Sequence, residues 1–301
     1  MDTVIKEIIA LFLIIIVGFY AGKKKIIDET ISNGLSKILL QISTPLLIIS
    51  SFSFTFTSDM AQNIVKAFVY AIIIFIITPL LVKPLFIKIK GGKKDILQFA
   101  MVFSNCGFMG FPIVQSVFGN EGVIYASIFN MIFNIFIWTY GVMLFNVKNS
   151  PKGMLGLLKN PGIIAAFIGI IIMIFSINIP SILLDTMKMV GGLTTPISML
   201  IIGSLLSRTE LKKLFKDISL YYGAVIKLIF VPVVLFLVAR LFKEDSLVIR
   251  TYILIQAMPV AAMTSLFAES FNKEKEYSAL IISISSLFSV ITIPLIIRFC
   301  T

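Results

Sequence analysis

Apolar residues in this chain are grouped in long blocks, each interrupted by a short polar segment, and not in the regular one-face pattern of a soluble helix or strand. The blocks lie at about 4–21, 35–54, 62–84, 96–118, 122–147, 161–178, 188–206, 218–241, 247–268 and 277–299. A helix that crosses the roughly 30 Å hydrocarbon layer needs about 20 apolar residues. The blocks meet that length, so the pattern predicts ten spans. A transmembrane barrel is not expected, because its strands alternate between lipid-facing and lumen-facing residues, and these blocks are continuously apolar. The predicted fold class is therefore all-α integral membrane, one bundle with short loops.

Composition agrees with that reading. Hydrophobic residues make up 58% of the 301-residue chain and charged residues only 14%, where a soluble domain carries about 25%. The formal net charge of +11 would suggest nucleic acid in a soluble protein. Here the lysines sit in short loops, where they face anionic lipid. The expected surroundings are thus a lipid bilayer, and no nucleic-acid partner is expected. Most Lys and Arg fall in the odd-numbered loops, as in Lys23–Lys25, Lys93, Lys94, Lys212 and Lys213. Basic residues favour the cytoplasmic side, which puts the odd loops inside and both termini outside the cell membrane. The first block, Val4 to Ala21, precedes its lysines and reads as a retained span. The abundance of Lys and Ile suggests a bacterial source.

Chemistry is sparse inside the blocks. Histidine is absent, and the two cysteines, Cys106 and Cys300, have no metal-ligand spacing. No Asp or Glu lies deep in a span, Glu269 being the nearest case. Acid–base and nucleophilic chemistry therefore lack their usual residues. No enzyme activity, metal or cofactor is expected.

The two halves resemble each other at an offset of about 151. Ser43-Thr44-Pro45 matches Thr194-Thr195-Pro196, Gly18 matches Gly169, and Phe118 to Tyr125 matches Phe271 to Tyr277, with Asn120 opposite Asn272. Five spans per half insert the second copy upside down. Inverted repeats with interrupted helices at matching places are a common transporter architecture. The predicted organisation is a first five-helix repeat over 1–147, a cytoplasmic linker over 148–160 and a second, inverted repeat over 161–301.

Span four contains Asn105, Gly107, Gly110 and Pro112. Glycine and proline both disfavour a helix interior, so a break is expected here, facing protein or a watered cavity. The half-helix after a break presents unpaired N–H donors and a partial positive charge, which suits an anion. Span nine supplies Gln256, Met258, Pro259 and Ala261 as the partner, antiparallel and crossing near the prolines. These eight residues are the candidate substrate site. Thr44, Pro45, Thr195 and Pro196 read equally as helix breaks or as plain kinks. Asn130 and Asn134 are candidate polar linings or interhelical hydrogen bonds. Lys227 is the basic residue deepest in a span. It reads either as a partner of substrate or as a side chain that snorkels or bonds backbone carbonyls.

The stretch Asn105-Cys-Gly-Phe-Met-Gly-Phe-Pro112, followed by Gly119-Asn-Glu-Gly122, Tyr125-Ala126 and Trp138-Thr-Tyr-Gly-Val142, resembles the bacterial branch of the auxin efflux carrier family. Met258-Pro259 and Leu287 to Pro294 resemble that family's last two spans. The resemblance covers essentially the whole chain. It implies ten helices in two inverted repeats, split into scaffold and transport parts that work as an elevator, with helices four and nine crossing in the transport part. It also implies a homodimer and a small organic anion as substrate: auxin-like, or malate- or malonate-like. The family's asparagine, glycine and proline at the break fall on Asn105, Gly110 and Pro112. The long cytoplasmic loop of the plant members is missing here, so regulation through it does not carry over. The expected function is export of a carboxylate by alternating access. A sodium- or proton-coupled symporter of the bile-acid-transporter type remains the alternative, with a channel or sensor behind it.

Overall fold

A computed structural model describes residues 2–52, 58–89, 91–145, 161–175, 177–208, 217–271 and 273–300. The predicted linker 148–160 and Asn272 lie outside them. Among the described residues the chain is all-helical, and its one strand-like feature is an isolated antiparallel bridge between Ser104 and Val260. Among the described residues six helical stretches are long and apolar enough to cross a membrane: Glu29–Ser51, Gln62–Phe86, Cys106–Leu144, Ser181–Ser207, Ile218–Leu241 and Lys275–Arg298. Three shorter apolar helices accompany them, at Ile9–Lys23, Pro161–Ile172 and Leu247–Gln256. Large apolar side chains such as Ile16, Leu80, Ile182, Ile218 and Leu241 are exposed. In water a surface of this kind marks an aggregation or binding face, whereas lipid solvates it.

The residues fall into two compact units. The first comprises Met1–Val69, Gly107–Met131 and Met154–Arg208, and the second Tyr70–Cys106, Ile132–Gly153 and Thr209–Thr301. Each unit takes segments from both halves of the sequence.

In the first unit the helix Asp2–Lys23 lies against Thr194–Ser207 at backbone contact. A Cβ on Gly203 would overlap the Ile15 carbonyl and stand 2.6 Å from Phe19 N, and one on Gly18 would overlap the Leu200 carbonyl. Lipid tails are as apolar as leucine, so helices in a membrane associate through such close packing and not by burying apolar area. The helix Thr44–Ser51 follows a π-helical turn at Leu39–Ser43. Pro45 stands just after that turn within the continuous stretch Glu29–Ser51, where its missing N–H interrupts the helical bonding. Gly119 adopts φ 63° and ψ −154° inside Phe111–Phe136, a conformation open to glycine alone, and the helix kinks there. This is the boundary that the sequence assigns between the fourth and fifth blocks.

The second unit is held by aromatic packing. Phe99 and Phe103 have ring centroids 4.5 Å apart, Phe103 and Phe133 5.3 Å, Phe75 and Phe136 5.2 Å, and Phe99 and Phe267 5.0 Å. Such pairs each contribute about 0.5–1.5 kcal/mol beyond the area they bury. At one end of the unit, polar contacts tie three connecting segments together. Lys93 Nζ bonds Asp217 at 2.7 Å, Lys273 Nζ bonds Asp95 at 3.0 Å, and Ser219 Oγ lies 2.6 Å from Tyr277 Oη.

Candidate functional site

Within the second unit, the helix Gly92–Val102 ends where Phe103 turns to extended geometry, φ −101° and ψ 103°. Helical bonding resumes at Cys106, in the π-helical turn Cys106–Gly110. The helix Leu247–Gln256 likewise stops before Pro259, and the next one, Met263–Ser270, starts after a gap of six residues. The two interruptions bond each other. Asn105 N donates to the Pro259 carbonyl at 2.8 Å, and Ala261 N donates to the Phe103 carbonyl at 3.0 Å, on either side of the Ser104–Val260 bridge. Val260 N donates to Ser285 Oγ at 3.1 Å. Buried backbone groups that two broken helices release are thus paired with protein, as a nonpolar surrounding requires.

One carbonyl is left over by this exchange. In an unbroken helix, the N–H of Asn105 would donate to Met101; here it goes to Pro259. Lys227 Nζ takes its place and donates to the Met101 carbonyl at 3.1 Å. Lys227 comes from a π-helical turn, Ile226–Phe230, and is fully buried. Its ammonium also donates to Ser104 Oγ at 2.6 Å and to Gln256 Oε1 at 3.1 Å. Ser104 Oγ in turn donates to Gln256 Oε1 at 2.7 Å. Among the described residues no carboxylate is bonded to Lys227. The Lys227 ammonium is thus held inside the protein by one backbone carbonyl and two side-chain oxygens.

Gln256 is fully buried, and its Nε2 has no hydrogen-bond partner among the described residues. The amide orientation is set by the network, because Oε1 must face two donors. The unused N–H groups are a ready donor for an acceptor that is not part of the chain. Asn105 is buried and Met258 fully buried beside the same break.

The remaining sequence candidates belong to other segments. Gly107, Gly110 and Pro112 belong to the first unit by its segments and follow the break, not the extended bridge itself. Gly107 is half-buried near Leu40; Gly110 and Pro112 are buried. Thr44, Pro45, Thr195 and Pro196 also belong to the first unit, at the starts of Thr44–Ser51 and Thr194–Ser207. These two starts touch through Thr194 Oγ1, which donates to Ser43 Oγ at 3.1 Å. Asn130 and Asn134 are half-buried on Phe111–Phe136, the first in the first unit and the second in the second. Sequence reasoning did not single out Ser104, the hydroxyl that joins Lys227 to Gln256. Its hydrogen-bond partners Lys227 and Gln256 are 123 and 152 residues away, and no local pattern announces such a contact. Among the described residues no cluster of His, Cys, Asp or Glu could hold a metal.

The profile of the family described as membrane transport protein matches residues 3–154 and 147–297, which together span nearly the whole chain. The chain belongs to this family. It is the auxin efflux carrier type of membrane transport protein, to which the residues around Asn105 point on their own. Relatives of similar length share the match. A protein of Methanocaldococcus jannaschii named uncharacterized transporter MJ1031 is 24% identical over 301 residues, covering 96% of each chain. An uncharacterized transporter of Methanothermobacter thermautotrophicus is 20% identical over 299 residues, again with 96% of each chain covered. The uncharacterized transporter YfdV of Escherichia coli K12 is 20% identical over 311 residues, covering 97% of this chain and 96% of its own. These relatives from archaea and a bacterium thus align with nearly the whole of this chain.

Proposed function

We propose that this membrane transporter is a secondary carrier of small organic anions, with the substrate carboxylate held where segments 103–105 and 257–262 cross. The observation that carries the reading is the pair of interrupted helices bonded to one another, with the buried ammonium of Lys227 set against them. A tethered positive charge with no carboxylate partner among the described residues, together with the unused amide protons of Gln256, suits a carboxylate and does not suit a cation. Helix starts at such breaks add N–H donors and partial positive charge.

The proposed architecture is ten crossings in two inverted halves, 1–147 and 161–301, that interleave into a scaffold part and a transport part. Two observations support it. The Thr194–Ser43 bond joins residues 151 apart, the same offset that relates the matched sequence motifs. Both compact units also draw on both halves. The reading includes a cell membrane location with both termini outside. An interior-negative potential of 100 mV favours outward movement of a monoanion by about 2.3 kcal/mol, so export needs no coupled ion.

The test is uptake and release of labelled malonate, malate and indole-3-acetate in proteoliposomes that contain the purified chain. Saturable flux of at least one of them is expected, with Asn105→Ala lowering it at least tenfold. If the wild-type protein carries none of the three and none raises its melting temperature, the anion reading is wrong.

A further inference from the structure

Lys227 raises a question that the carrier reading leaves open: what charge does the helix break hold when no substrate is present? Three oxygens surround the Lys227 nitrogen: the Met101 carbonyl, Ser104 Oγ and Gln256 Oε1. Ser104 Oγ also reaches Gln256 Oε1 at 2.7 Å. An ammonium has the three N–H groups that such a set of acceptors suits.

The ligand set has the character of a cation site. It consists of one main-chain carbonyl released by the break, one hydroxyl and one side-chain amide oxygen, at 3.1, 2.6 and 3.1 Å from the nitrogen. All three are neutral. Carbonyls of unwound helices are the groups that coordinate sodium or protons in transporters whose helices break in this way. Sodium contributes one positive charge there and ties the two broken helices together. Lys227 does both: one positive charge, bonded to residue 101 and residue 104 on one segment and to residue 256 on the other. Its tether is the helix that carries residues 226–230.

We propose that the Lys227 ammonium is a built-in cation that occupies the place of a coupling metal ion at the helix break, so that the carrier runs without sodium. This rests on the carrier reading above. The cation is covalently tethered and cannot diffuse away, so the break stays tied in every cycle. An arriving carboxylate then meets a site whose positive charge is already present.

The experiment compares the full-length wild type with Lys227→Ala and Lys227→Met in proteoliposomes, in choline, sodium and methylammonium buffers. The probe is whichever of labelled malonate, malate and indole-3-acetate the wild type carries. Wild-type flux should agree within about twofold in choline and sodium. Lys227→Ala should lose at least tenfold in choline and regain several-fold with sodium or methylammonium, which enter the space the side chain leaves. The same ions should raise its melting temperature and leave that of the wild type unchanged. Lys227→Met fills the space without charge, and it should stay inactive in all three buffers. The proposal is overturned if wild-type flux needs a sodium gradient or if Lys227→Met carries substrate at the wild-type rate. It is equally overturned if no cation raises either the flux or the melting temperature of Lys227→Ala, including the case in which that variant stays aggregated in every buffer. If the wild type carries no carboxylate, the carrier reading fails by itself, and the cation-dependent melting of Lys227→Ala still decides this point.

Discussion

Replacing Gln256 in two different ways separates its role as an acceptor from the charge balance around it. Its Oε1 receives Ser104 Oγ at 2.7 Å and Lys227 Nζ at 3.1 Å in a fully buried setting. Gln256→Leu removes that oxygen and strands both donors. Each stranded buried donor costs about 1–3 kcal/mol, so roughly 2–6 kcal/mol in total. At about 2–4 °C per kcal/mol for chains somewhat smaller than this one, the melting temperature in detergent should fall by roughly 5–20 °C. Gln256→Glu keeps an acceptor oxygen in the same place. Its attraction to the ammonium at that distance is about 5 kcal/mol at an effective dielectric of about 20, and desolvation of the carboxylate offsets several kcal/mol of it. The glutamate variant should therefore melt within a few degrees of wild type. It should nevertheless transport poorly, because the added negative charge cancels that of Lys227. For an anion seated roughly 6–10 Å away, the lost attraction is about 1.7–2.8 kcal/mol, or roughly 20- to 100-fold in flux at low substrate. The measurements are thermal melting by a thiol-independent fluorescence method and initial-rate flux in proteoliposomes. The reasoning is refuted if the glutamate variant melts as low as the leucine variant, or if it carries substrate at the wild-type rate.

Other substitutions test the framework. Gly203→Val drives a side chain into the Ile15 carbonyl and Phe19 N; overpacking of this kind costs about 1–3 kcal/mol, read as a lower melting temperature. Ser285→Ala leaves the N–H of Val260 without its acceptor and should cost about 1–3 kcal/mol, with faster amide exchange at Val260 and Ala261 in hydrogen-exchange mass spectrometry. Burial works to raise the Asp217 carboxyl, yet hydrogen bonds from Lys93 and Ser219 outweigh it and hold the group below its ordinary 3.8. The sign follows: this contribution is present above the ordinary value and disappears as pH falls through the lowered one. With side chains 43% and 26% exposed, the pair is worth at most about 1 kcal/mol, so Asp217→Asn should lower the melting temperature at neutral pH by up to a few degrees and converge with wild type below about pH 4, where the wild-type carboxyl is protonated.

The sequence made the membrane character legible because block length and hydropathy are local properties. Gly119 was also readable, since Gly-Asn-Glu-Gly between two apolar blocks is a turn signal and the kink falls there. Pro259 and the glycines after Asn105 announced irregular backbone, but the extended bridge is at 103–105, upstream of Gly107, Gly110 and Pro112. Proline and glycine weaken a helix without specifying which residue leaves it; the partner segment, bonded through Pro259 and Ala261, makes that choice. Lys227 stood out as a charge in an apolar block. Its acceptors did not, because Ser104 and Gln256 are ordinary polar residues until tertiary structure brings them together. Likewise the sequence divides naturally into consecutive halves, whereas contacts gather it into two units with segments from each half.

The long sequence separation of the bridge bears on how the chain is made. Met101, Ser104 and Asn105 find their partners at Lys227, Gln256 and Pro259, up to 154 positions later. At a synthesis rate of about 5–20 residues per second, the first segment waits roughly 10–30 s with carbonyl and amide groups unbonded. Lipid offers them nothing, so a newly inserted first half needs a wet or protein-lined holding place, such as the interior of an insertase. A nascent chain halted near residue 208 should remain crosslinkable to that machinery and be released once residues beyond 261 emerge.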